Sequence, residues 1–325
     1  MFVERRPLAS LVILLALILG LWLLLSAWPA PLEAAVGRKR VFMNALFNGI
    51  TLGGLYFLVA SGFTLIFGLM RNVNLAHGSL YLFGGYIGYT IATATGSWLL
   101  SFVVAFVAMA LVGVVLQVVV FRRMEGEELR QTLVTIGISI VLADVMRWWF
   151  GGEIYSFDPP RAIYGSLPLL IVPKYPTYRL FVLGVAIVLG VVMWWLLNRT
   201  RIGVMIRAGV DDRGMLAAAG VNVQGVFAIT FAIGAGMAGL AGVIGGSALS
   251  ISPGEDTRYL LASLVVVIVG GMGSITGAAL GALLIGLAEQ FGLAYAPTYS
   301  VVFTFLIMVA VLAFRPTGIL GRRTA

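Results

Sequence analysis

The sequence predicts an all-α polytopic membrane protein with about ten transmembrane helices (8 to 10) and a helix-sized polar segment set between two of them. Three observations predict it. Of 325 residues, 61% are hydrophobic and only 10% charged, with a mean hydropathy of +1.05, far more apolar than a water-soluble core of this size requires. The apolar runs reach roughly the 20 residues that a helix needs to cross a hydrocarbon core about 30 Å thick. They lack the alternation of a transmembrane barrel, which leaves helices as the spanning element.

The elements follow in order. Behind Arg5 and Arg6, the run Leu8 to Trp28 is longer than the apolar region of a cleaved signal peptide. It reads as an uncleaved signal anchor, so that residues 1–40 form an anchor and linker ahead of a transmembrane domain at 41–325. Further spans are expected at Val41 to Met70, Leu75 to Thr95, Trp98 to Phe121, Thr132 to Phe150 and Tyr178 to Leu197. After a polar break come Val226 to Ser250, a short run from Tyr259 to Met272, Ile275 to Leu293 and Ser300 to Phe314. With Arg5 and Arg6 inside, alternation puts Arg71, Arg122, Arg123, Arg130, Arg199, Arg201, Arg207, Arg213, Arg315, Arg322 and Arg323 in the cytoplasm, as the positive-inside rule favours, along with both termini. The cluster Arg38, Lys39 and Arg40 falls on the outside, against the rule.

The net charge of +8 is carried at the ends of apolar runs, where it sets topology and offers no nucleic-acid surface. Zero cysteines and a single histidine argue against disulfides, thiol catalysis and a metal centre. The stretch Gly151 to Thr177 holds Pro159, Pro160, Pro168, Pro173 and Pro176, so it is expected as an extended exterior loop. Ile251 to Arg258, with Glu255, Asp256 and Arg258, is expected as a shorter exterior connector.

Small-residue spacing predicts tightly packed spans. Gly273, Gly277 and Gly281 form two successive GxxxG steps, and Gly242 with Gly246 and Gly84 with Gly88 repeat the spacing. Arg71, Asn72, Asn74 and His77 interrupt an apolar stretch. Polar groups at membrane depth are tolerated where protein or a water-filled cavity surrounds them. Either a broken helix presents Asn72, Asn74 and His77 to a translocation route, or the segment is a cytoplasmic turn with a polar cap. Asp144 and Arg147 stand three apart and are expected to neutralise one another on one helix face. Asp144 and Glu289 are the acidic candidates deep in spans, a thin basis for a proton relay.

The polar break, Asn198 to Gly225, reads as a short helix lying at the membrane surface. Met205, Ile206 and Leu216 give it an apolar face; Arg207, Asp211, Asp212 and Arg213 a charged one; Gly220 is suited to a left-handed helix end. A helix of that size can sit in a partner's groove and carry rigid-body motion into the spans.

Four blocks then carry a family resemblance over nearly everything after Phe42: NGITLGGLYFLVASGFTLIFGLMRNVNLAHG (48–78), RAGVDDRGMLAAAGVNV (207–223), GGMGSITGAALGALLIG (270–286) and FRPTGILGR (314–322). The chain resembles the permease subunits of bacterial ABC importers for branched-chain amino acids. The resemblance implies a second homologous permease, two ATP-binding subunits and a periplasmic or lipid-anchored substrate-binding protein, in the bacterial inner membrane. It implies alternating access for a small amino-acid substrate, with ATP and Mg bound by the partner ATPases and no cofactor in this chain; no GxxxxGK[ST] phosphate loop occurs. It also makes residues 198–225 the coupling loop, with Arg207, Asp211, Asp212 and Gly220 meeting the ATPases. Many relatives have an acidic residue where Ser79 follows the HG pair, and a lysine near Leu260, Leu261 and Ala262. Urea or a short amide is the alternative cargo. A stand-alone proton-coupled transporter titrating Asp144, Glu289 and His77 is the alternative class, and a membrane scaffold the third.

Overall fold

The computed structural model describes residues 39–70, 73–124, 126–168 and 174–321. The expected signal anchor, Asn72 and the last four residues lie outside the described residues. The longest helix, α1 (Lys39–Met70), is followed by α2 (His77–Thr95) and α3 (Trp98–Val115). A π turn (Leu116–Val120) and a 3-10 turn (Phe121–Met124) extend α3 before α4 (Glu128–Phe150). Beyond a two-stranded antiparallel hairpin, β1 (Ser166–Leu167) with β2 (Tyr175–Pro176), runs α5 (Thr177–Arg199). Two short helices, α6 (Arg201–Asp211) and α7 (Arg213–Ala218), lead into α8 (Val223–Leu249), α9 (Glu255–Gly270), α10 (Ile275–Tyr295) and α11 (Ser300–Phe314).

Seven of these are long and apolar enough to span a bilayer: α1, α3 with its extension, α4, α5, α8, α10 and α11 with the turn before it. The chain is therefore a multi-pass, all-α membrane protein. α1 and α8 form the centre, apolar on every side as buried helices must be. α3, α4, α5 and α11 ring them and point Leu111, Val141, Val191 and Leu306 outward, the composition of a lipid-facing surface.

Glycines set the closest crossings. On α10, Gly286 lies against the backbone of Gly49 and Gly53 in α1. A methyl group at Gly281 would stand 2.6 Å from the Val266 carbonyl and 2.9 Å from the Gly270 nitrogen of α9. Gly277 meets Gly270 at the same seam. Gly273 is not on the helix: it lies in the turn before α10 at φ +78°, so the helical ladder is Gly277 and Gly281. Between α2 and α8, Gly84 abuts Gly239 and Gly242 abuts the backbone of Tyr81 and Gly85.

Two helices begin inside the bundle. Ser139, the midpoint of α4, is eleven residues or about 16 Å from either end of that helix. The Ser79 hydroxyl meets the Ser139 hydroxyl at 2.9 Å and donates to Asp256 at 3.3 Å. Thus the first turns of α2 and α9 sit at mid-height of α4. This corrects one expectation: Glu255, Asp256 and Arg258 belong to the first turn of α9, not to an exterior connector. Asp256 is 7% exposed. A first turn reading EDTR is too polar to register in hydropathy, although acidic residues suit a helix start. Asp144 and Arg147 depart from expectation too. Both are exposed on α4, and no ion pair joins them among the described residues, since spacing permits contact but does not enforce it.

Candidate translocation and coupling sites

The mid-height cluster is assembled from four helices. Tyr56 of α1 donates to Glu289 Oε2 of α10 at 2.5 Å. Arg258 of α9 lies 3.5 Å from Glu289 and 3.7 Å from Glu255. The Tyr259 ring packs on Tyr81 of α2, with centroids 4.1 Å apart. The side chains of Glu289 and Glu255 are 17% and 29% exposed, while that of Arg258 is 51% exposed. The distances leave the guanidinium loosely held, because charge-assisted hydrogen bonds normally close to about 2.8 Å.

The polar segment before α2 is packed among helices. Asn74 accepts from the Ala76 N–H at 3.1 Å and Thr135 Oγ1 accepts from the Leu75 N–H at 3.1 Å. His77 is fully buried: Nε2–H donates to the Val59 carbonyl at 3.0 Å, and the ring meets the Phe63 ring edge-on at 5.3 Å. Val59 is eleven residues before the end of α1, about 16 Å along its axis. His77 Nδ1 and Asn74 Nδ2 are buried and find no hydrogen-bond partner among the described residues.

At one end of the bundle, a cavity of about 510 Å³ opens between α1, α5 and the loop before β1. Asn48, Asp158, Tyr178, Arg179, Ser247 and Gln290 supply its polar lining. Arg179 donates to Asn48 Oδ1 and rests over the Tyr175 ring.

At the opposite end lies the polar break, which is two helices and not one. Thr200 caps α6 by accepting from Gly203 N at 3.2 Å. Asp212, extended at φ −152°, ends α6 and caps α7 by accepting from Met215 N at 2.9 Å. Asp211 is the last residue of α6. The buried face is Gly203, Ile206, Gly209 and Leu216, with Gly209 close to Leu69 of α1. Arg207 folds back to donate to the Leu197 carbonyl at the end of α5, which satisfies one of that helix's orphan acceptors. Arg213 Nη2 donates to the Leu69 and Met70 carbonyls at 3.0 and 3.1 Å, and its guanidinium stands 4.8 Å over the Phe227 ring. One side chain thereby ties α7 to the end of α1 and the start of α8. Gly220 closes the segment at φ +80° with open space around it. Met215, 74% exposed, projects from α7.

Sequence reasoning singled out Glu289, Glu255, Asp256 and Arg258 separately but not their meeting, and Tyr56 not at all. Contacts 233 residues apart, such as Tyr56 with Glu289, leave no trace in local periodicity. Arg213 appeared only as part of a charged face; its two-carbonyl anchor depends on where α1 ends.

A central pair of helices, two interrupted helices with a charged cluster between them, and an anchored surface helix pair define a transport permease. Residues 45–312 match the family described as "Branched-chain amino acid transport system / permease component", and the chain belongs to that family. It is 31% identical over 297 residues to the high-affinity branched-chain amino acid transport system permease protein BraD of Pseudomonas aeruginosa, covering 86% of this chain and 96% of that protein. It is 32% identical over 301 residues to LivH of Escherichia coli K12, a permease of the same description, with the same coverage. Identity to the ribose import permease RbsC of Escherichia coli K12 is 24% over 292 residues, covering 87% of this chain and 84% of RbsC. No solved structure matches.

Proposed function

We propose that this chain is the membrane-spanning permease subunit of an ABC importer that brings branched-chain amino acids into the cell. A second homologous permease completes the pore, two ATP-binding subunits hold ATP and Mg, and a substrate-binding protein delivers cargo outside the inner membrane. The observation that carries this reading is the anchored pair α6–α7. It presents an exposed ridge of Met215 and residues 217–220 while Leu216 turns inward and Arg213 grips the core helices α1 and α8. Both chain termini and this ridge face the cytoplasm.

In the mechanism, the ATPases close on nucleotide and press on α7. Arg213 passes the displacement to α1, and the glycine seams, where backbones touch without intervening side chains, let the helices move as packed bodies. The bias comes from nucleotide binding one conformation better than the other. This chain hydrolyses nothing itself. Affinity purification of the tagged permease tests the assembly: two ATP-binding subunits and a second permease are expected to co-elute. A lone chain that takes up leucine in liposomes on a proton gradient, without nucleotide, would overturn it.

A further inference from the structure

We propose that Arg258, flanked by Glu255 and Glu289, lines the water-filled route at mid-membrane and receives the charged head of a zwitterionic substrate. The guanidinium takes the carboxylate and the two glutamates take the ammonium; the choice of an amino acid as ligand rests on the proposed function above.

The depth comes from three independent helices. Asp256, two residues before Arg258, is held through Ser79 at the level of Ser139, the midpoint of α4. From Arg258 to the end of α9 is twelve residues, about 18 Å; Glu289 is fourteen residues, about 21 Å, from the start of α10 and six, about 9 Å, from its end. The trio therefore lies inside a hydrocarbon core about 30 Å thick, nearer the end of α10 than its start. An ionised side chain at that depth faces protein or water, not lipid, yet half of the Arg258 side chain is uncovered in the isolated chain. In the assembled transporter that uncovered half meets either the partner permease or water, and the route proposed here supplies the water. By contrast, Arg147 is three residues from the end of α4, about 5 Å, and can reach the membrane surface.

The site is also poised to exchange partners. Both ion pairs of Arg258 are 3.5 Å or longer, so a substrate carboxylate can displace them with a closer, two-pronged contact. Glu289 is held by the Tyr56 hydroxyl whatever Arg258 does. Two interrupted helices start here, α2 and α9, and helix starts carry partial positive charge that favours an anionic group. Two carboxylates against one guanidinium leave a negative charge for the ammonium.

The chain contains no cysteine, which makes the test clean. Leu261→Cys, one helical turn beyond Arg258 and exposed on α9, and, as a lipid-facing control, Leu306→Cys are introduced into the full complex, with Arg258 kept, and exposed to a membrane-impermeant, sulfonate-bearing methanethiosulfonate. The position 261 thiol is expected to react at least tenfold faster than that at 306, and millimolar L-leucine to slow it several-fold. A rate at 261 no higher than at 306 would overturn the inference, even in a complex that transports leucine normally. Fast labelling that leucine leaves unchanged would overturn the zwitterion site; if leucine uptake by the wild-type complex is also absent, the assigned cargo fails as well. Arg258→Lys, which keeps the charge, is a second reading: a KM for leucine raised at least fivefold with kcat within twofold is expected, whereas an unchanged KM would contradict a carboxylate contact.

Discussion

Replacing Arg213 by alanine isolates the tie between the surface helices and the core. The guanidinium makes two hydrogen bonds, to Leu69 and Met70, and stands over Phe227. A hydrogen bond to a charged group contributes about 1.5–3 kcal/mol, and a cation–π contact at a partly exposed site about 0.5–1 kcal/mol. Both hydrogen bonds use the same Nη2 atom, so they do not add in full, and water takes over the freed carbonyls at the end of α1. The expected net loss is about 2 kcal/mol, which is roughly thirty-fold in an opening equilibrium. Hydrogen–deuterium exchange over residues 200–220 measures it, with a peptide from α3 as internal reference. Arg213→Lys, able to reach one carbonyl at a time, is expected to fall between the two. Exchange in Arg213→Ala within threefold of wild type would refute the anchoring role, and retained exchange with lost transport would move the role of Arg213 from anchoring to partner contact.

Other outcomes follow from the same geometry. Gly281→Leu forces a side chain into the Val266 and Gly270 backbone and is expected to cost several kcal/mol, read as lost thermal stability in detergent, while Leu280→Ala on the exposed face shifts it little. Gly220→Val meets no neighbour but must hold φ +80°, a backbone cost of about 1–2 kcal/mol; ATP hydrolysis stimulated by the binding protein is expected to fall, with Gly220→Asn nearer wild type. Met215→Asp places a charge on the exposed ridge of α7 and is expected to weaken ATPase co-purification at least tenfold without altering the melting of the permease.

Hydropathy located the helices that lipid surrounds, because such helices are apolar along their whole length. Ser300 to Phe314 and Ile275 onward agree with α11 and α10 at their starts. Polar first turns hid the starts of α4 and α9: Glu128 with Arg130, and Glu255 with Arg258, read as connectors though each is helical. Glycine spacing identified seams but not partners, since Gly281 faces α9 while Gly286, five residues on, faces α1. The break in the surface segment was present in the doublet Asp211–Asp212, where the second aspartate is free to cap a new helix. The charged trio at mid-height was not legible, because Arg258 and Glu289 lie on different helices whose register only packing determines.

Uptake of labelled L-leucine into proteoliposomes is the decisive measurement, with the permease, its partner permease, both ATP-binding subunits and the substrate-binding protein added in turn. Accumulation is expected only with the full set and ATP on the side of α7, and is expected to fail when any component is withheld. Leucine entry driven by this chain alone would contradict a permease powered from outside itself.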